Sequence, residues 1–535
     1  MLIKLKTSYF PRSSPWIFFL ALIVISIVYN YQTILFRPPG VIHQWRQCDC
    51  LSLAATYFSF DANFFSPGVF YLGGPGTGMV ASEFPIIYYF VAQLWKLFGQ
   101  HEIIFRLITL SVVFAGLFYL FRMLEEILND SIWAITLTLF LFTSPILAYY
   151  GNSFLMDPYG LSFALIGWYM FAKYYTSSKK HYFYLASLFF LFAGLLKISS
   201  LISFFALFLL CVLELLGLQL RKDKPVFTQP LMQLVVFVST FLIIASWYMY
   251  ANSYNNLNGL GVFLIGIMPI WDYASNDIYA RIEHFSGAIT MHQFLNIEAL
   301  WMVFTLFFLQ FAFLKNANRF FLFTSLLLFF AVLLFLVLWF GAITEEHDYY
   351  MTNLLVFVVF SLLSFFVALK NTFPSAFVST WLRTIFVILL IYNIQLTSKK
   401  TAVRYFNTAD ENYPSCYSEN EIGVLKWTKF DFSMHKEALI HCHSYFQSIG
   451  IKPDDKVISL PDISFNISLY LMNQRGWTQG ASFEPLSITW FTDKIRMGAR
   501  YLIINDDQIC NDPVIKLFTN HKIGSYKNID VYKLY

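Results

Sequence analysis

Charged and polar side chains gather in two short stretches that follow the first long apolar run. The first reads His43-Gln-Trp-Arg-Gln-Cys-Asp49, and the second reads Ala81-Ser-Glu-Phe-Pro85. A carboxylate can accept the proton of an attacking nucleophile, and a guanidinium can hold an anionic leaving group. We therefore interpret Arg46, Asp49 and Glu83 as the reacting end of an enzyme whose remaining length positions its substrate.

The composition is that of a membrane protein. Charged residues make up 13%, apolar residues 58% and aromatic residues 20% of the 535 residues. A soluble chain with this balance would expose too much apolar surface to water. The net charge of +4 is modest, and no basic run with interleaved aromatic residues indicates a nucleic-acid partner. The six cysteines show no paired CxxC spacing, so neither a zinc site nor a disulfide scaffold is indicated.

Apolar runs of about the length that crosses a bilayer, roughly 20 residues, recur along most of the chain. They predict an α-helical polytopic membrane protein with about eleven transmembrane helices. The segment from Pro85 to Phe98 is too short to span and is predicted to lie along the membrane surface. The predicted spans are Trp16–Phe36, Ile103–Phe121, Ser131–Tyr149, Gly160–Tyr175, Tyr182–Leu196, Ile198–Leu218, Leu231–Tyr250, Ala299–Leu314, Phe320–Gly341, Tyr350–Leu369 and Phe377–Ile394.

The distribution of basic residues predicts the topology. Lysine and arginine concentrate in alternate loops, which the positive-inside rule assigns to the cytoplasm together with the N-terminal Lys4, Lys6 and Arg12. An odd number of spans then exports the C-terminus. We predict a multi-pass protein of the cytoplasmic (inner) membrane, with a transmembrane domain at 1–397, a first outer loop at 37–102 and an extracytoplasmic domain at 398–535.

The region after residue 397 has the composition of a soluble domain. Its pattern predicts helices at Glu437–Ser448 and Ser464–Met472, and strands at Lys456–Leu460, Tyr501–Ile504 and Asp530–Leu534. This alternation indicates a small α/β domain. In an exported position its cysteines could form a disulfide bridge. His441 and His443 fall in a predicted helix at a spacing that separates their side chains, so they are not expected to chelate one metal ion.

Five motifs in this order resemble the multi-span glycosyltransferases of family 39 type. That family includes the dolichyl-phosphate-mannose protein mannosyltransferases and the bacterial aminoarabinose transferases, and its members share the GT-C fold. The resemblance covers about the first three quarters of the chain. The motifs are Trp45-Arg46-Gln47-x-Asp49, Ser82-Glu83-Phe84-Pro85-Ile86-x-Tyr88, Phe154-x-Met156-Asp157-Pro158, Lys197 at a tight outer turn, and His347-Asp348-Tyr349-Tyr350.

The resemblance implies a transferase that takes a sugar from a polyprenyl-phosphate donor and inverts its anomeric carbon at the outer face. Asp49 matches the catalytic acidic position of the family, and Glu83 matches its second acidic position. A cationic environment for the donor phosphate would come from Arg46, Lys197 and His347. Further contacts with substrate are expected from Gln47, Asp157, Asp348 and Tyr349. The carboxylates and the cations are expected to converge on one pocket open to the outer leaflet.

Each of these residues also has a structural interpretation. Arg46 and Asp49 could form a surface ion pair, and Glu83 could simply begin a helix. Lys197 could extend towards the lipid headgroups as a topological anchor. His347 with Asp348 could cap a span, and Asp157 could turn the chain before Pro158.

Other functions remain open at the level of sequence. A transporter or flippase of lipid-linked sugars is the alternative from a different class, and an inactive scaffold is a third. Transporters place ionisable residues near the bilayer midplane, whereas here the mid-span positions are almost free of charge. We therefore favour the enzyme. A divalent metal ion could bind at Asp49 and Glu83, and the acceptor could be a lipid, a glycan or a protein.

Overall fold

The computed structural model describes residues 13–60, 62–264, 266–287, 291–345, 347–406, 413–480 and 486–535. The basic N-terminal residues Lys4, Lys6 and Arg12 lie outside these ranges. The chain divides into two compact units. The first comprises 1–35, 106–246 and 267–421, and the second comprises 36–105, 247–266 and 422–535. The boundary predicted after residue 397 separates a transmembrane part of the chain from an extracytoplasmic part. This division stays a prediction.

Helices account for most of the described chain. From the N-terminal side they are α1 Ser14–Val28, α2 Tyr31–Ile34, α3 Gln44–Ser59, α4 Ile86–Phe98, α5 Glu102–Leu128, α6 Ser131–Phe142, α7 Pro145–Tyr150, α8 Asp157–Ser177, α9 Lys180–Leu196, α10 Leu201–Leu215, α11 Pro230–Asn258 and α12 Ser275–Gly287. They continue with α13 Met291–Phe294, α14 Ile297–Leu309, α15 Arg319–Leu338, α16 Phe340–Thr344, α17 Leu355–Thr372, α18 Pro374–Phe377, α19 Thr380–Tyr405, α20 Glu419–Asp431, α21 Glu437–Ile440, α22 His443–Ser448, α23 Ile467–Met472 and α24 Ile488–Arg496.

The protein is a multi-pass membrane protein. Among the described residues, 6 helical runs are long and apolar enough to cross a bilayer. Shorter apolar helices such as α1, α6 and α9 accompany them. The predicted total of about eleven spans stays a prediction. The long runs are Glu102–Leu128, Ile198–Leu215, Pro230–Asn258, Arg319–Leu338, Asp348–Thr372 and Thr380–Tyr405.

The run Asp348–Thr372 forms the centre of the first unit. Every residue of its most apolar stretch of 18 residues is buried inside the protein, whereas only 33% of the corresponding stretch in α15 is buried. Helices α14 and α15 pack against α17, and α8 packs against α9. A helix that is apolar on every side is typical of a bundle interior, because neighbouring helices cover it completely. The more exposed helices present their apolar side chains to lipid.

Two of the predicted spans are wrong in their continuity. The predicted span Ser131–Tyr149 is broken between α6 and α7, where the Ser144 side chain accepts a hydrogen bond from the Leu147 amide and Pro145 starts a new helix. Proline lacks the N–H that would continue α6, so the break follows from its chemistry. The predicted span Trp16–Phe36 ends early, because Asn30 adopts a left-handed backbone conformation with φ 59° between α1 and α2.

The second unit contains a five-stranded sheet among its described residues, in the order β2-β1-β3-β5-β4. Strands β1 and β2, like β1 and β3, run parallel, and β5 is antiparallel to β3 and β4. Leu72 of the first loop packs into the same core as Trp477 and Phe491. The strands are β1 Lys456–Leu460, β2 Gly476–Trp477, β3 Ala499–Ile504, β4 Lys522–Tyr526 and β5 Ile529–Lys533.

The α/β character of the C-terminal region is confirmed. The strand predicted at Lys456–Leu460 has these bounds in the structure, and the other two predicted strands shift by one or two residues. The helix predicted at Glu437–Ser448 is wrong in its continuity, since α21 ends at Ile440 and α22 begins at His443. His441 and Cys442 lie in the break, where the buried Cys442 Sγ donates to the Leu439 carbonyl at 3.1 Å.

Candidate active site

Asp49 lies on α3 in the second unit. Only 4% of the residue is exposed, and one of its carboxylate oxygens accepts a hydrogen bond of 2.8 Å from the Asn466 amide nitrogen. The Asn466 oxygen accepts in turn from the backbone N–H of Tyr71 at 2.9 Å and from the Ser52 hydroxyl at 3.3 Å. These contacts fix the orientation of the amide, so that its N–H group points at Asp49.

Burial raises the pKa of Asp49 from 3.8 to about 7. The charge of Arg46 and the hydrogen bond from Asn466 oppose this rise, whereas the charges of Glu83 and Asp462 add to it. A carboxyl group with a pKa near neutrality exchanges protons readily at physiological pH. Asp49 is therefore suited to act as a general base.

Arg46 and Glu83 form an ion pair in the same unit. The Arg46 Nη2 atom lies 2.5 Å from Glu83 Oε1, with side-chain exposures of 16% and 9%. The Ser82 hydroxyl donates to the other oxygen of Glu83, and the Tyr88 hydroxyl donates to it at 3.3 Å. The surface ion pair between Arg46 and Asp49 that the sequence left open is not what the structure has, because Asp49 is buried and Arg46 pairs with Glu83.

Helix α11 holds the segment that carries Glu83. The Ala81 amide donates to the Asn255 side-chain oxygen at 2.7 Å, and the Asn255 nitrogen donates to the Ala81 carbonyl at 2.9 Å. The Trp247 indole N–H donates to the Ser82 carbonyl at 3.2 Å. This two-sided amide contact replaces the backbone pairing that a strand or helix would provide. The position of Glu83 is therefore set by long-range contacts and not by a local element.

Gln47 supports the turn before α3. Its side-chain nitrogen donates to the Ile42 carbonyl at 2.8 Å and to the Gly40 carbonyl at 3.3 Å. His43, the residue before the helix, has a left-handed backbone conformation with φ 52°. These bonds give Gln47 a structural role in presenting α3. Its predicted contact with substrate stays a prediction.

Lys197 and Asp157 form a buried ion pair in the first unit. Lys197 Nζ lies 2.9 Å from Asp157 Oδ1, with side-chain exposures of 7% and 1%. The ammonium group also lies 4.5 Å from the ring centre of Tyr350 and 5.5 Å from that of Tyr349. Lys197 is buried in this ion pair and is not an exposed side chain, which argues against the anchor interpretation. Asp157 is the first residue of α8 and holds the lysine.

Asp348 pairs with an arginine that the motifs did not select. Arg404 Nη2 lies 2.9 Å from Asp348 Oδ2, and the Tyr150 hydroxyl donates to Oδ1 of the same carboxylate. The rings of Tyr150 and Tyr349 meet edge to face at 5.9 Å. The His347 ring lies 5.5 Å from the Tyr349 ring. The aromatic rings thus connect the Asp348 pair with the surroundings of Lys197.

The predicted site residues fall into two groups. Arg46, Gln47, Asp49 and Glu83 belong to the second unit. The members of the first unit are Asp157, Lys197, His347, Asp348 and Tyr349. In the second unit Arg46 pairs with Glu83, and its charge also acts on Asp49. In the first unit Lys197 pairs with Asp157 and lies near the Tyr349 ring, which the His347 ring also contacts. The predicted convergence of the two groups on one pocket stays a prediction.

Neither the disulfide nor the metal hypothesis gains support from the described residues. All six cysteines are free thiols, including Cys416, Cys442 and Cys510 of the region where a bridge was considered. No three His, Cys, Asp or Glu side chains in the described ranges cluster closely enough to hold a metal ion. Glu83 is engaged by Arg46. These side chains therefore do not form a ready cage for a divalent ion.

Neither a protein-family model nor a curated protein sequence matches the chain. Solved structures do. ArnT from Cupriavidus metallidurans in the apo state superposes with a TM-score of 0.59 at 10% sequence identity, over 98% of this chain and 98% of ArnT. The chain has the GT-C fold. The resemblance inferred from the motifs is thereby confirmed at the level of the fold.

The GT-C match extends to a second state of the same protein. ArnT bound to undecaprenyl phosphate gives a TM-score of 0.58 at 10% identity, again over 98% of both chains. The archaeal oligosaccharyltransferase AglB from Archaeoglobus fulgidus, in complex with an inhibitory peptide and a dolichol-phosphate, gives 0.49 at 11% identity, over 93% of this chain and 71% of AglB. At 10% identity the comparison with ArnT concerns the GT-C fold alone.

Proposed function

We propose that this protein is a membrane glycosyltransferase that transfers a sugar from a polyprenyl-phosphate donor to an acceptor. The observation that carries the proposal is the GT-C fold shared with ArnT over 98% of the chain. The ArnT structure with undecaprenyl phosphate supports a donor of the same lipid-phosphate class. The acceptor is a hydroxyl- or amine-bearing lipid, glycan or protein.

Asp49 is the proposed general base. The acceptor heteroatom attacks the anomeric carbon of the donor sugar, and its proton passes to the Asp49 carboxylate. The bond between the anomeric carbon and the phosphate oxygen breaks, and the polyprenyl phosphate leaves with the bonding electrons. A single displacement of this kind inverts the anomeric configuration. The buried position and raised pKa of Asp49 suit this proton transfer.

Arg46 is the proposed partner of the donor phosphate in the second unit, and Glu83 positions it. A guanidinium carries five N–H donors, so pairing with one carboxylate leaves capacity for a phosphate oxygen. In the first unit, Lys197 and His347 stay candidates for phosphate binding, and Asp157, Asp348 and Tyr349 stay candidates for substrate contact. The leaving group is already an anion, so it needs cations and N–H donors more than an acid.

We also propose that the reaction occurs at the outer face of the cytoplasmic membrane. The supporting observation is the sequence asymmetry, since lysine and arginine concentrate in alternate loops. In this topology the N-terminus is cytoplasmic, and the region after residue 397 is extracytoplasmic together with the first loop.

The proposal is tested by single carboxylate-to-amide substitutions. Cells that express Asp49→Asn or Glu83→Gln are compared with wild type by mass spectrometry of surface glycans and envelope lipids, with membrane levels of the protein checked by immunoblot. Asp454→Asn, an exposed carboxylate of the second unit, is the matched control. We expect Asp49→Asn to reduce the modified product by about 100-fold or more, whereas the control retains it. Full product with Asp49→Asn would contradict the proposed mechanism.

A further inference from the structure

A cavity of about 330 Å³ lies at one end of the helix bundle in the first unit. It is bordered by residues at or beyond the ends of four long helices. Tyr175 lies near the end of α8, Arg221 follows α10, Arg319 begins α15 and Asn371 lies near the end of α17. Because these helices end together, the cavity opens at a bundle end and not along its side.

The lining of this cavity is strongly cationic. Arg221, Lys222, Lys315 and Arg319 all contribute to it, and none of its lining residues in the described chain is an aspartate or glutamate. Asp223 is adjacent in sequence but is not part of the lining. Four like charges around one concavity repel one another, and an anion bound among them would relieve that repulsion.

Hydrogen bonds hold part of this lining in place. The Arg221 guanidinium donates to the Tyr175 carbonyl at 3.0 Å and packs over the Tyr175 ring at 5.0 Å. The Asn318 side-chain nitrogen donates to the Tyr175 hydroxyl at 3.0 Å, and Asn318 also caps α15. The first turn of this 20-residue helix directs its backbone N–H groups, and the positive end of its dipole, to the same end of the bundle.

We propose that this cavity binds the phosphate group of an anionic membrane phospholipid. Its volume fits a headgroup and not a large ligand. Its place at the ends of membrane helices puts it at headgroup depth, and the positive-inside rule predicts that this end faces the cytoplasm. The inference does not depend on the proposed transfer reaction, because none of the candidate active-site residues lines the cavity.

The test measures lipid retention by native mass spectrometry of the delipidated full-length protein in detergent. Phosphatidylglycerol and phosphatidylcholine are added separately to wild type and to a Lys222→Gln/Lys315→Gln variant. Both substituted lysines are exposed, so the variant is expected to fold. The matched control is Lys179→Gln/Lys180→Gln, which removes two exposed lysines that are not in the cavity lining.

We expect wild type and the control to retain phosphatidylglycerol in preference to phosphatidylcholine. The cavity variant is expected to bind phosphatidylglycerol about 10-fold more weakly, and added salt should reduce the difference. Sodium phosphate is added in a second arm. Retention of phosphatidylglycerol in millimolar phosphate would support the lipid as the ligand, whereas its complete displacement would assign the cavity to soluble phosphate and overturn the lipid proposal. Equal retention by the cavity variant and the control, or no preference for phosphatidylglycerol, would overturn the proposal.

Discussion

Asp49 shows how a carboxylate in a mostly apolar protein acquires a pKa near neutrality. Burial alone would favour the neutral form strongly, whereas the positive charge of Arg46 and the N–H group of Asn466 favour the carboxylate. The balance brings the pKa to about 7. A small change in either partner therefore changes the fraction of Asp49 that can accept a proton.

The first prediction concerns the pH dependence of the transfer rate. The base must be deprotonated, so kcat/KM should fall about tenfold per pH unit below the pKa and level off above it. The midpoint of this acidic limb is expected near pH 7, because the pKa of Asp49 is raised to about 7. Initial rates with purified protein between pH 5 and pH 9 give the profile. A flat profile across pH 7 would exclude Asp49 as the titrating base.

The second prediction concerns Asn466. Replacement of Asn466 by alanine removes a hydrogen bond that favours the Asp49 carboxylate, so the pKa of Asp49 should rise and the acidic limb should move to higher pH. The maximal rate at high pH should change much less than the midpoint. Asn520→Ala, an exposed asparagine of the same unit, should leave the midpoint unchanged. An unshifted midpoint in Asn466→Ala would mean that this residue has only a structural role.

At the scale of elements, the turn between α9 and α10 is positioned by α8. Lys197 lies in this turn and pairs with Asp157, which begins α8. One turn further along α8, Gly160 allows close approach. A Cβ atom at Gly160 would lie 2.8 Å from Lys197 Cβ and 3.1 Å from Asn353 Oδ1. The absence of a side chain at this position therefore sets the distance between α8 and the turn.

The third prediction is that Gly160→Ala displaces Lys197 without removing its charge. A contact of 2.8 Å requires the backbone to shift, at a cost of about 1–3 kcal/mol in the free energy of unfolding. If Lys197 binds the donor phosphate, the KM for the donor should rise more than kcat falls. Gly423→Ala in α20 is the control, since no described atom lies within 4 Å of the position that its added methyl group would take. Unchanged KM in a folded Gly160→Ala protein would argue against phosphate binding by Lys197.

The sequence predicted element types better than element limits. Apolar runs located most of the long helices, and the alternating pattern located β1. The break at Ser144-Pro145 carried a recognisable signal, a serine cap before a proline at the first helical position, which the hydropathy of the surrounding run concealed. The extension of α19 to Tyr405 carried none, because its last turns are polar and owe their helical state to tertiary contacts.

At the scale of the whole molecule, the polar network of the candidate site could not be predicted from sequence. The motifs selected Asp49, but its partner Asn466 is separated from it by 417 residues. Arg404 shows the same difficulty, because it contacts Asp348 from the far end of α19. Local patterns contain no information on such pairs. The motif resemblance did indicate the GT-C fold, because it relies on the order of several motifs along the chain.

The fourth prediction concerns the orientation in the membrane. Lys516→Cys places a thiol on an exposed position after β3, and Lys179→Cys places one beside α9. In a background without the six native cysteines, a membrane-impermeant maleimide added to spheroplasts should label the first and not the second. Inverted membrane vesicles should give the opposite pattern. Labelling of both positions from one side would contradict the predicted topology.

The most direct test of the proposed function measures release of the lipid carrier. Purified protein is reconstituted in liposomes with polyprenyl-phosphate sugars extracted from the host membrane and an extract that contains the acceptor, and free polyprenyl phosphate is measured by mass spectrometry. We predict that wild type converts the donor to free polyprenyl phosphate and that Asp49→Asn, at the same protein level, does not. Movement of intact donor across the bilayer without release of polyprenyl phosphate, or equal release by Asp49→Asn, would contradict the proposed transfer reaction.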